Sequence, residues 1–460
     1  MTQLTIADPR LRDAVTAVCR LCADAGGRAW VVGGAVRDAL LDRPVTDVDI
    51  EVHGIAAGDL EQRLAASFDL DPVGRSFGVL KLRHLTVDIS LPRTESKAGL
   101  GHRGFLVSSD PHLGLEEAAR RRDFTINAMA LDPLTGEVAD PLGGRADLAA
   151  GRLRHCSPAF AEDPLRVLRG MQFTARFDLD PDPGTVALCR AIEPEGLAAE
   201  RIWQEWRKLL LLGRTPSRGL ALLRDTGWLA HFPELAALDG LPQDPVHHPE
   251  GDAYVHTGLC LDAFAAARLG DDEEDTVVGL AVLCHDLGKP LAQQVDEDGR
   301  IRTPGHEAAG VTATREFLRR LTGQPGLVDQ VLPLVRDHRR PVQLYEARSG
   351  DAAIRRLARD TGRIDRLLRV VQADLGGRGP AADSDPAAVR WVRERAAALA
   401  VVDAAPVALV RGRDVLARGQ EPGPGVGALV DRCYEAQLDG VFGDRDGALA
   451  YLDRLLADDA

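Results

Sequence analysis

The stretch "GGAVRDALLDRPVTDVDIEV", residues 33–52, places a glycine pair before a short helical pattern and then two aspartates separated by one residue. The preceding run "AWVV" predicts a buried strand, and the glycines permit a close turn into a helix that begins near Ala35. The backbone N–H groups at such a helix start suit a phosphate group. A tight turn that needs glycine only for packing is the alternative at this point.

The two aspartates of "DVDIEV" stand at positions i and i+2 of a predicted strand. Asp47 and Asp49 should therefore project from one face, while Val48 and Ile50 turn to the core. Adjacent carboxylates repel each other unless a cation lies between them, and hard oxygen ligands suit Mg2+ held together with substrate phosphates. A two-metal site of this kind needs a further carboxylate on a neighbouring strand. Asp88 in "LTVDISL" is the candidate, with an ordinary solvent-facing strand aspartate as the alternative.

Composition indicates a folded chain of several domains. It has 460 residues, 45% of them hydrophobic and 27% charged, and only 4% aromatic, which favours largely helical domains with aliphatic cores. The net charge of −14 hides clusters of basic residues, so it does not exclude an RNA partner. No signal-peptide pattern follows Met1 and no apolar run approaches the roughly 18 residues of a membrane span, so we expect a cytoplasmic protein with no membrane partner.

The seven cysteines are scattered and odd in number, which argues against a disulfide framework. Cys19 and Cys22 form a C-x2-C pair, but no second pair stands at the spacing of a metal finger. Their segment has helical periodicity, so we expect buried helical thiols rather than metal ligands. The chain is therefore expected to keep its cysteines reduced.

Strand and helix signals alternate over about the first 150 residues, and helical periodicity dominates from about residue 157. Two arginine-rich stretches follow the first region: "RRRDFTINAMALD", residues 120–132, and "FAEDPLRVLRGMQFTARF", residues 160–177. Asp163 before Pro164 has the pattern of a helix N-cap, which is a structural alternative to any binding role. Arg166 and Arg169 are spaced i, i+3 and place two guanidinium groups on one helix face.

The motifs "GGAVRD", "DVDIEV", "RRDFTINAMALD", "DPLGG" and "EDPLRVLR", in this order and spacing, resemble the bacterial class II tRNA nucleotidyltransferase (CCA-adding enzyme) and poly(A) polymerase family over at least residues 28–225. The resemblance implies an α+β fold with a polymerase-beta-like nucleotidyltransferase head and all-helical domains after it. It also implies roles for individual residues. Asp47 and Asp49 would bind catalytic Mg2+, Gly34 and Arg37 would hold the triphosphate, and Arg122, Asp163, Arg166 and Arg169 would contact the incoming nucleotide.

The chemistry of the bases agrees with that assignment. C and A each present an exocyclic amino donor beside a ring-nitrogen acceptor, whereas U and G present a carbonyl and a ring N–H. Asp163 as acceptor and Arg166 as donor could therefore select C and A together without a nucleic-acid template. One departure concerns Gln172, where family members have arginine. A neutral amide there loses a positive contact, and we expect altered nucleotide affinity or an altered choice between C and A.

Two further segments of the first half have open interpretations. Residues 93–118 contain glycines and polar residues with little periodicity, and are predicted to form a long loop. By the resemblance this is the mobile loop that helps to switch nucleotide choice, and a surface loop without function is the alternative. The helical stretch 200–224 carries Arg201, Arg207, Lys208 and three more arginines. It is either a solvated face or a contact for tRNA phosphates.

A second cluster of metal-binding residue types lies further along the chain. His256, the pair His285–Asp286 in "CHDLGK", and Asp374 occur on helical patterns, and imidazole with carboxylate suits a transition metal or Mg2+. This arrangement resembles the HD phosphohydrolase domain over about residues 245–375. By that resemblance the four residues are metal ligands, while His306 and His338 are additional ligands or phosphate contacts. The implied activity is hydrolysis of phosphoesters at RNA ends.

The sequence thus predicts four domains: a nucleotidyltransferase head (1–150), a helical neck (151–232), an HD domain (233–378) and a helical tail (379–460). We expect addition of CCA to tRNA 3′ ends from CTP and ATP by a monomer or homodimer. The alternatives are a partial CC-adding or A-adding enzyme, a poly(A) polymerase, or, in a different class, an RNA-end phosphohydrolase or RNA-binding regulator with a degenerate head. The tail has no assigned chemistry.

Overall fold

The structure, a computed structural model, describes residues 4–71, 78–97, 105–379 and 386–458, without the side chains of 93–97 and 105–108. Contacts within the chain divide it into two compact units, Met1–His231 and Phe232–Ala460. The division after His231 lies beside the predicted boundary between neck and HD domain. The division into four domains stays a prediction.

The first unit combines a sheet with helices. Its strands are β1 (Arg28–Val32), β2 (Val48–His53), β3 (Leu70–Asp71), β4 (Val79–Leu82), β5 (Val87–Ser90), β6 (Arg93–Lys97), β7 (Phe105–Ser109), β8 (Ala130–Leu131), β9 (Val138–Ala139), β10 (Arg152–Leu153) and β11 (Asp180–Pro181). Its helices are α1 (Pro9–Asp24), α2 (Gly34–Leu40), α3 (Ala57–Ala65), α4 (Leu115–Arg120), α5 (Gly144–Ala149), α6 (Leu165–Phe177), α7 (Pro183–Arg190), α8 (Ala199–Leu212) and α9 (Pro216–Asp225).

The main sheet has the strand order β3-β4-β5-β2-β1-β8-β9. β2 runs antiparallel to β1 and parallel to β5, and this parallel register pairs Asp49 with Asp88. Val48, Ile50, Val87 and Ile89 alternate with these aspartates and are buried, as a half-buried strand pattern predicts. The sheet register therefore brings the predicted carboxylates to adjacent strands on one face.

Aliphatic packing holds this sheet to its helices. α1 packs on β1 and α3, and its buried side chains, among them Val18, Cys19 and Cys22, belong to the same core cluster as Val31 and Leu64. The prediction of buried helical thiols at Cys19 and Cys22 is confirmed by their burial and lack of a disulfide. Burial also raises the pKa of the Cys19 thiol to about 12, which keeps it protonated.

The prediction of one long loop over residues 93–118 is wrong for the described part of that segment. β6 and β7 form an antiparallel hairpin in which Arg93 pairs with Ser109, and α4 follows it. Residues 98–104 lie outside the described residues. The short strands alternate too few apolar side chains for periodicity to reveal them, whereas pairing between the two strands satisfies their backbone groups.

Helices α6, α8 and α9 pack together after the sheet region. The predicted capping contact is present: the Asp163 carboxylate accepts a hydrogen bond from the Leu165 N–H at 3.1 Å, and Pro164 stands immediately before α6. Two very short strands, β10 and β11, pair in parallel here and were not predicted. Each has two residues, which is too short for a periodicity signal.

The second unit is almost entirely helical. Its helices are α10 (Pro233–Ala236), α11 (Ala253–Ala266), α12 (Asp272–Cys284), α13 (Lys289–Ala292), α14 (His306–Leu321), α15 (Pro325–Asp337), α16 (Arg340–Glu346), α17 (Asp351–Thr361), α18 (Ile364–Gly376), α19 (Ala387–Ala398), α20 (Gly412–Leu416), α21 (Pro424–Asp439) and α22 (Arg445–Asp458). A small hairpin joins β12 (Gln294–Val295) and β13 (Ile301–Arg302). Among the described residues, no helix combines the length and apolar character needed to cross a membrane.

Packing in this unit places several helix ends together. α11 packs on both α12 and α18, and α15 packs on both α12 and α14. α12 is apolar nearly all round, with Val277 to Cys284 buried, as expected for a central helix. The predicted α+β fold, a mixed sheet region followed by helical domains, is confirmed.

Candidate active sites

The first site lies where β2 and β5 run side by side. Asp47 immediately precedes β2, Asp49 lies on β2, and Asp88 pairs with Asp49 from β5. The three aspartates line a cavity of about 540 Å³ together with Lys81 and Asp71. The prediction that Asp88 stands on the strand beside Asp49 is confirmed as a position, and its catalytic role stays a prediction.

Loss of hydration and the proximity of three carboxylates make this cluster a candidate cation site. Asp49 is exposed, yet neighbouring protein atoms remove part of its hydration and raise the pKa of its carboxyl. Arg122 opposes this shift, and Asp88 and Asp47 add to it. Lys81 Nζ lies 2.5 Å from Asp88 Oδ2 and offsets part of the negative charge. The donor set of carboxylate oxygens fits Mg2+ or another hard divalent cation.

Gly33 provides space beside these carboxylates. Its φ of +74° is in the left-handed region, and a Cβ there would lie 3.3 Å from Arg122 Nη1 and 3.5 Å from Asp49 Oδ2. Arg122 in turn lies 3.3 Å from Glu51 Oε2 through its Nη2. The glycine turn therefore keeps a guanidinium and a candidate metal ligand close to the start of α2.

Arg37 is buried, which the sequence did not predict. Its Nη1 donates to Asn127 Oδ1 at 2.7 Å, and its Nε and Nη2 donate to Asp38 at 3.0 Å. Its guanidinium also lies 4.2 Å from the centre of the Phe177 ring. Gly34 sits beside it, since a Cβ there would lie 3.3 Å from Arg37 Nη2. The structure thus places Arg37 within a packed network behind the turn.

That network continues through Asn127 to a second ion pair. Asn127 Nδ2 donates to Asp123 Oδ1 at 3.1 Å, and Arg169 holds Asp123 Oδ2 from Nε at 2.8 Å and Nη2 at 2.6 Å. Burial alone would raise the pKa of Asp123, but the charge of Arg169 and the hydrogen bonds from Asn127, the Phe124 N–H and Arg169 together lower it. The sequence predicted no role for Asp123 or Asn127, although both lie in the arginine-rich stretch 120–132.

Asp163 and Arg166 do not contact each other through a hydrogen bond between their side chains in the described structure. Asp163 Oδ2 accepts from Arg201 Nη2 at 2.9 Å, while the Arg166 guanidinium donates to the main-chain oxygens of Ala159 and Arg121 at 2.8 and 2.7 Å. These contacts fix the orientation of both side chains. Their roles in nucleotide selection stay predictions.

Gln172 lies inside α6 with 1% of its surface exposed, and its Oε1 has no hydrogen-bond partner among the described residues. Its effect on nucleotide choice stays a prediction, and burial implies that any effect would act through neighbouring side chains.

Several basic residues of the stretch 200–224 form ion pairs with carboxylates of the same chain, Arg201 with Asp163 among them. Besides Arg201, Lys208 lies 2.8 Å from Glu205 and Arg218 lies 2.5 Å from Asp180.

The second site gathers residues from the ends and faces of five helices. His256 lies on α11, His285 and Asp286 directly follow α12, and Asp374 lies on α18. His256 Nε2 lies 3.2 Å from Asp374 Oδ1 and 3.8 Å from Asp286 Oδ2, and His285 Nε2 lies 3.2 Å from Asp286 Oδ2. The structure thus brings together all four predicted ligands.

The two remaining histidines extend this cluster. His306, at the start of α14, places Nε2 3.5 Å from Asp286 Oδ1, and its ring centre lies 5.3 Å from that of His338 at the end of α15. Ligand atoms of Asp286, His306 and His338 lie close enough together to hold an ion. Asp286 therefore adjoins two groups of possible ligands.

Hydrogen bonds orient these imidazoles for metal binding. In His285, His306 and His338, Nδ1 contacts the main-chain oxygen three residues earlier, at 2.7, 2.8 and 2.7 Å. An Nδ1–H tautomer satisfies each contact and leaves Nε2 as an electron-pair donor. Although they face Asp286, the Nε2 atoms of His285 and His306 make no hydrogen bond within the described chain. Buried, unsatisfied ring nitrogens fit a divalent metal.

Sequence reasoning missed three residues of this site. Glu250 Oε1 contacts His256 Nδ1 at 2.6 Å; burial opposes ionisation of Glu250, but its hydrogen bonds to histidine lower its pKa to about 2. Lys289 Nζ lies 2.6 Å from Asp286 Oδ2, and Cys260 Sγ lies 3.3 Å from His256 Nε2. The i, i+3 spacing of Asp286 with Lys289 and the i, i+4 spacing of His256 with Cys260 were readable signals.

A cavity of about 460 Å³ opens beside the second site and is rich in basic groups. It is lined by Asp286, His306, His338 and Asp374, by the further carboxylates Asp244 and Glu346, and by five cations: Lys289, Arg300, Arg302, Arg339 and Arg378. Each of these cations lies within 4.0 Å of a carboxylate oxygen, a contact that a phosphate could replace. Positive charge beside candidate metal ligands suits a phosphate-bearing substrate.

Comparison with known proteins identifies three sequence families in the chain. "Poly A polymerase head domain" matches residues 29–154, "Probable RNA and SrmB- binding site of polymerase A" matches 178–238, and "HD domain" matches 259–371. A Multifunctional CCA protein of Cupriavidus metallidurans is 40% identical over 406 residues, which cover 84% of this chain and 94% of that protein. The chain belongs to the multifunctional CCA protein family. This confirms the predicted nucleotidyltransferase family and HD domain.

A further relative supports the assignment to this family, and solved structures have a similar fold. A Multifunctional CCA protein of Xanthomonas campestris pv. campestris is 40% identical over 417 residues, covering 87% of this chain and 95% of that protein. The fold is similar to that of a Bacillus stearothermophilus CCA-adding enzyme in complex with CTP, with a TM-score of 0.67, 24% identity and coverage of 98% and 100% of the two chains. A Thermotoga maritima CCA-adding enzyme complexed with tRNA gives a TM-score of 0.60 at 19% identity, covering 98% and 96%.

Proposed function

We propose that the first unit adds CCA to the 3′ end of tRNA, using CTP and ATP. The observation that carries this proposal is the register that sets Asp49 beside Asp88, with Asp47 next to them, in one cavity. The names of the relatives and of the structurally similar enzymes support it. An intact carboxylate cluster and an intact arginine network argue against a regulator with a degenerate head.

The RNA 3′-hydroxyl attacks the α-phosphorus of the nucleotide and pyrophosphate leaves. Asp47, Asp49 and Asp88 would hold Mg2+, which when bound lowers the pKa of the hydroxyl and neutralises developing phosphate charge. Arg122, whose guanidinium lies beside Gly33, would contact the incoming nucleotide, and the start of α2 at Gly34 would hold its triphosphate. Arg37 would assist it and position the turn at Gly34 through its bonds to Asp38 and Asn127.

Base selection is assigned to the start of α6. Each oxygen of the Asp163 carboxylate has one bond in the structure and capacity for a second, so it could accept from the amino group of C or A. Arg166 is held by two carbonyl oxygens and would donate to the ring-nitrogen acceptor through its remaining N–H groups. Arg169 would act beside them, oriented by Asp123.

Sequencing of reaction products tests this function. Three tRNA transcripts, ending before CCA, after C and after CC, are incubated with Mg2+ and each nucleotide alone and in combination. We expect C, C and A in that order, and only A on the transcript ending in CC. Addition of C alone or A alone identifies a partial enzyme, and long A tails on unrelated RNA identify a poly(A) polymerase; either result contradicts the proposal.

We propose that the second unit hydrolyses phosphoesters at RNA ends, including 2′,3′-cyclic phosphates. His256, His285, Asp286 and Asp374 would hold a divalent metal, which supplies an activated water when bound. The cations that line the adjoining cavity would bind the phosphate. An RNA with a cyclic phosphate end should be opened by the wild-type protein and not by His285→Ala; equal rates would contradict this assignment.

Three remaining expectations stay predictions: the cytoplasmic location, the monomeric or homodimeric state, and the choice of Mg2+ at the first site. Replacing Mg2+ by Ca2+ tests the last of these. Ca2+ accepts longer bonds and more ligands than Mg2+, so it should bind the carboxylates and support little catalysis. Equal rates with both ions would contradict the assignment of Mg2+.

A further inference from the structure

Cys260 lies inside the second site although no role has been assigned to it. It is fully buried on α11, one turn after His256, and its Sγ lies 3.3 Å from His256 Nε2 and 3.7 Å from the main-chain oxygen of Asp374. The ligand atoms of His256, Cys260, His285 and Asp374 all lie within 4.8 Å of one another. The thiol is therefore part of the cluster of ligand atoms rather than of a separate apolar core.

The distances match those within one set of metal ligands. In a tetrahedral site with bonds of about 2.0–2.3 Å, neighbouring ligand atoms lie about 3.3–3.8 Å apart. The hydrogen-bonded separation of 3.3 Å between Cys260 Sγ and His256 Nε2 lies at the short end of this range, and the 3.2 Å between His256 Nε2 and Asp374 Oδ1 lies just below it. A metal that replaces these hydrogen bonds therefore requires only a slight separation of the ligand atoms. His285 Nε2 is buried without a hydrogen bond in the described chain, which is an independent sign of a missing partner at this point.

The packing of α18 holds the thiol in place. A Cβ at Gly377 would lie 2.4 Å from Cys260 Sγ and 2.8 Å from Cys260 N. Only a residue without a side chain permits this close approach, so the end of α18 presses against Cys260 on the side of Asp374. The backbone at Gly377 therefore lies directly against Cys260 and closes off the space on that side of the thiol.

We propose that Cys260 is a thiolate ligand of the metal at the second site, so that this site takes a thiophilic transition metal such as Zn2+ or Co2+ rather than Mg2+. Thiolate and imidazole are ligands of soft and borderline metals, whereas Mg2+ prefers oxygen. On binding, the thiol loses its proton to solvent and its sulfur donates an electron pair to the metal. This inference rests on the proposed phosphohydrolase site, puts Cys260 in place of Asp286 among its four ligands, and assigns it a class of metal. The activated water would then be an additional ligand beside these four.

Cobalt spectroscopy on the full-length protein tests the assignment. The metal-free protein is titrated with Co2+, because a thiolate ligand gives a near-ultraviolet charge-transfer band and oxygen or nitrogen ligands do not. Wild type should show this band. Cys260→Ser and Cys260→Ala should lose it while keeping the visible bands of bound Co2+. Cys284→Ser, which alters another buried cysteine of the same unit, should retain it.

Zn2+ affinity gives a second readout. Cys260→Ser should weaken Zn2+ binding by more than the roughly 10–100-fold typical of outer-shell changes, and should leave Mg2+ binding within about twofold. Persistence of the band in both Cys260 variants, or its absence from wild type that binds Co2+ through His285, overturns the thiolate assignment alone. Co2+ binding that His285→Ala does not reduce overturns the proposed phosphohydrolase site as well.

Discussion

The two candidate sites gather metal ligands in opposite environments. The first presents aspartates at the exposed surface of a sheet, where Asp47 and Asp49 are open to solvent. The second buries imidazoles and carboxylates among helix ends, with His256, His285 and Asp286 each at most 1% exposed. Exposed oxygen ligands suit an ion that arrives with a nucleotide, whereas buried nitrogen ligands suit an ion that stays with the protein.

The charges around the carboxylates also differ between the two sites. At the first site, reduced hydration and neighbouring aspartates raise the pKa of Asp49 despite the opposing charge of Arg122. At the second, burial favours a neutral carboxyl group, but the charges of His285, Lys289 and His256 together hold the pKa of Asp286 well below its ordinary value. The first cluster is thus short of positive charge without a cation. Without a metal, a protonated His285 and Lys289 balance the carboxylates of the second cluster. A metal that binds Nε2 of His285 therefore has to replace its proton.

The largest effect is expected at Asp88, where a catalytic carboxylate and an ordinary strand aspartate predict different results. Asp88→Asn should reduce CCA addition about 1,000-fold, equivalent to about 4 kcal/mol in the activation barrier, because the metal site loses a ligand. Initial rates of nucleotide incorporation measure the effect. Asp71→Asn is the matched control, since Asp71 lines the same cavity without belonging to the three carboxylates; it should stay within about fivefold of wild type. Similar rates for both variants would remove Asp88 from the site.

The Asp123–Arg169 pair should give the next largest effect, on stability as well as on nucleotide binding. Asp123→Asn should destabilise the first unit by about 2–3 kcal/mol, less than for a fully buried pair because 33% of the Arg169 side chain is exposed. Denaturant unfolding measures the stability and the KM for CTP measures the binding. An exposed pair, Asp59 and Arg63, supplies the control: Arg63→Ala should change stability by less than about 1 kcal/mol. Equal effects would contradict a structural role for the Asp123–Arg169 pair.

At the second site, a substitution of Glu250 tests whether a carboxylate that contacts the far nitrogen of a ligand histidine strengthens metal binding. Glu250→Gln should weaken metal binding about 10–100-fold, because His256 loses the charged partner that orients its ring. The exposed Glu297→Gln is the control and should leave affinity unchanged. Competition with a chromophoric chelator measures both. An unchanged affinity for Glu250→Gln would show that His256 does not depend on this contact.

The smallest effect is a gain in stability at the first site. The raised pKa of Asp49 means that the folded protein binds the proton more tightly than the unfolded chain. Its carboxylate therefore destabilises the metal-free protein above the raised pKa, and this cost disappears as pH falls below the ordinary value near 3.9. Asp49→Asn should slightly raise the unfolding midpoint at pH 7 without metal, and Mg2+ should stabilise wild type more than this variant. A lower midpoint at pH 7 would contradict this sign.

The sequence predicted the parts of the molecule that depend on local pattern. Alternation of aspartate with Val48 and Ile50 predicted β2, and the glycine pair predicted the turn into α2. The β6–β7 hairpin was missed because strand pairing, not side-chain periodicity, stabilises it. Likewise the burial of Arg37 and its bond to Asn127 depend on residues 90 positions apart. A pattern of neighbouring residues cannot predict a contact across so many positions.

For the second site, motif spacing located His285 and Asp286 but not all of their partners. Glu250 lies in the turn just before α11, and its contact with His256 depends on the path of the chain into that helix. Cys260 was readable as a helical neighbour of His256, yet its approach to Asp374 requires the close packing of α18 at Gly377. Ligand sets assembled from several helices are therefore only partly visible in sequence.

The most direct test of the whole account is a reciprocal assay of two variants, Asp49→Asn and His285→Ala. Each is measured both for CCA addition to a truncated tRNA with Mg2+ and for opening of a 2′,3′-cyclic phosphate end with Co2+. We predict that Asp49→Asn loses nucleotide addition and retains hydrolysis, while His285→Ala shows the reverse. Loss of both activities in either variant, with the fold intact by circular dichroism, would contradict two chemically separate metal sites.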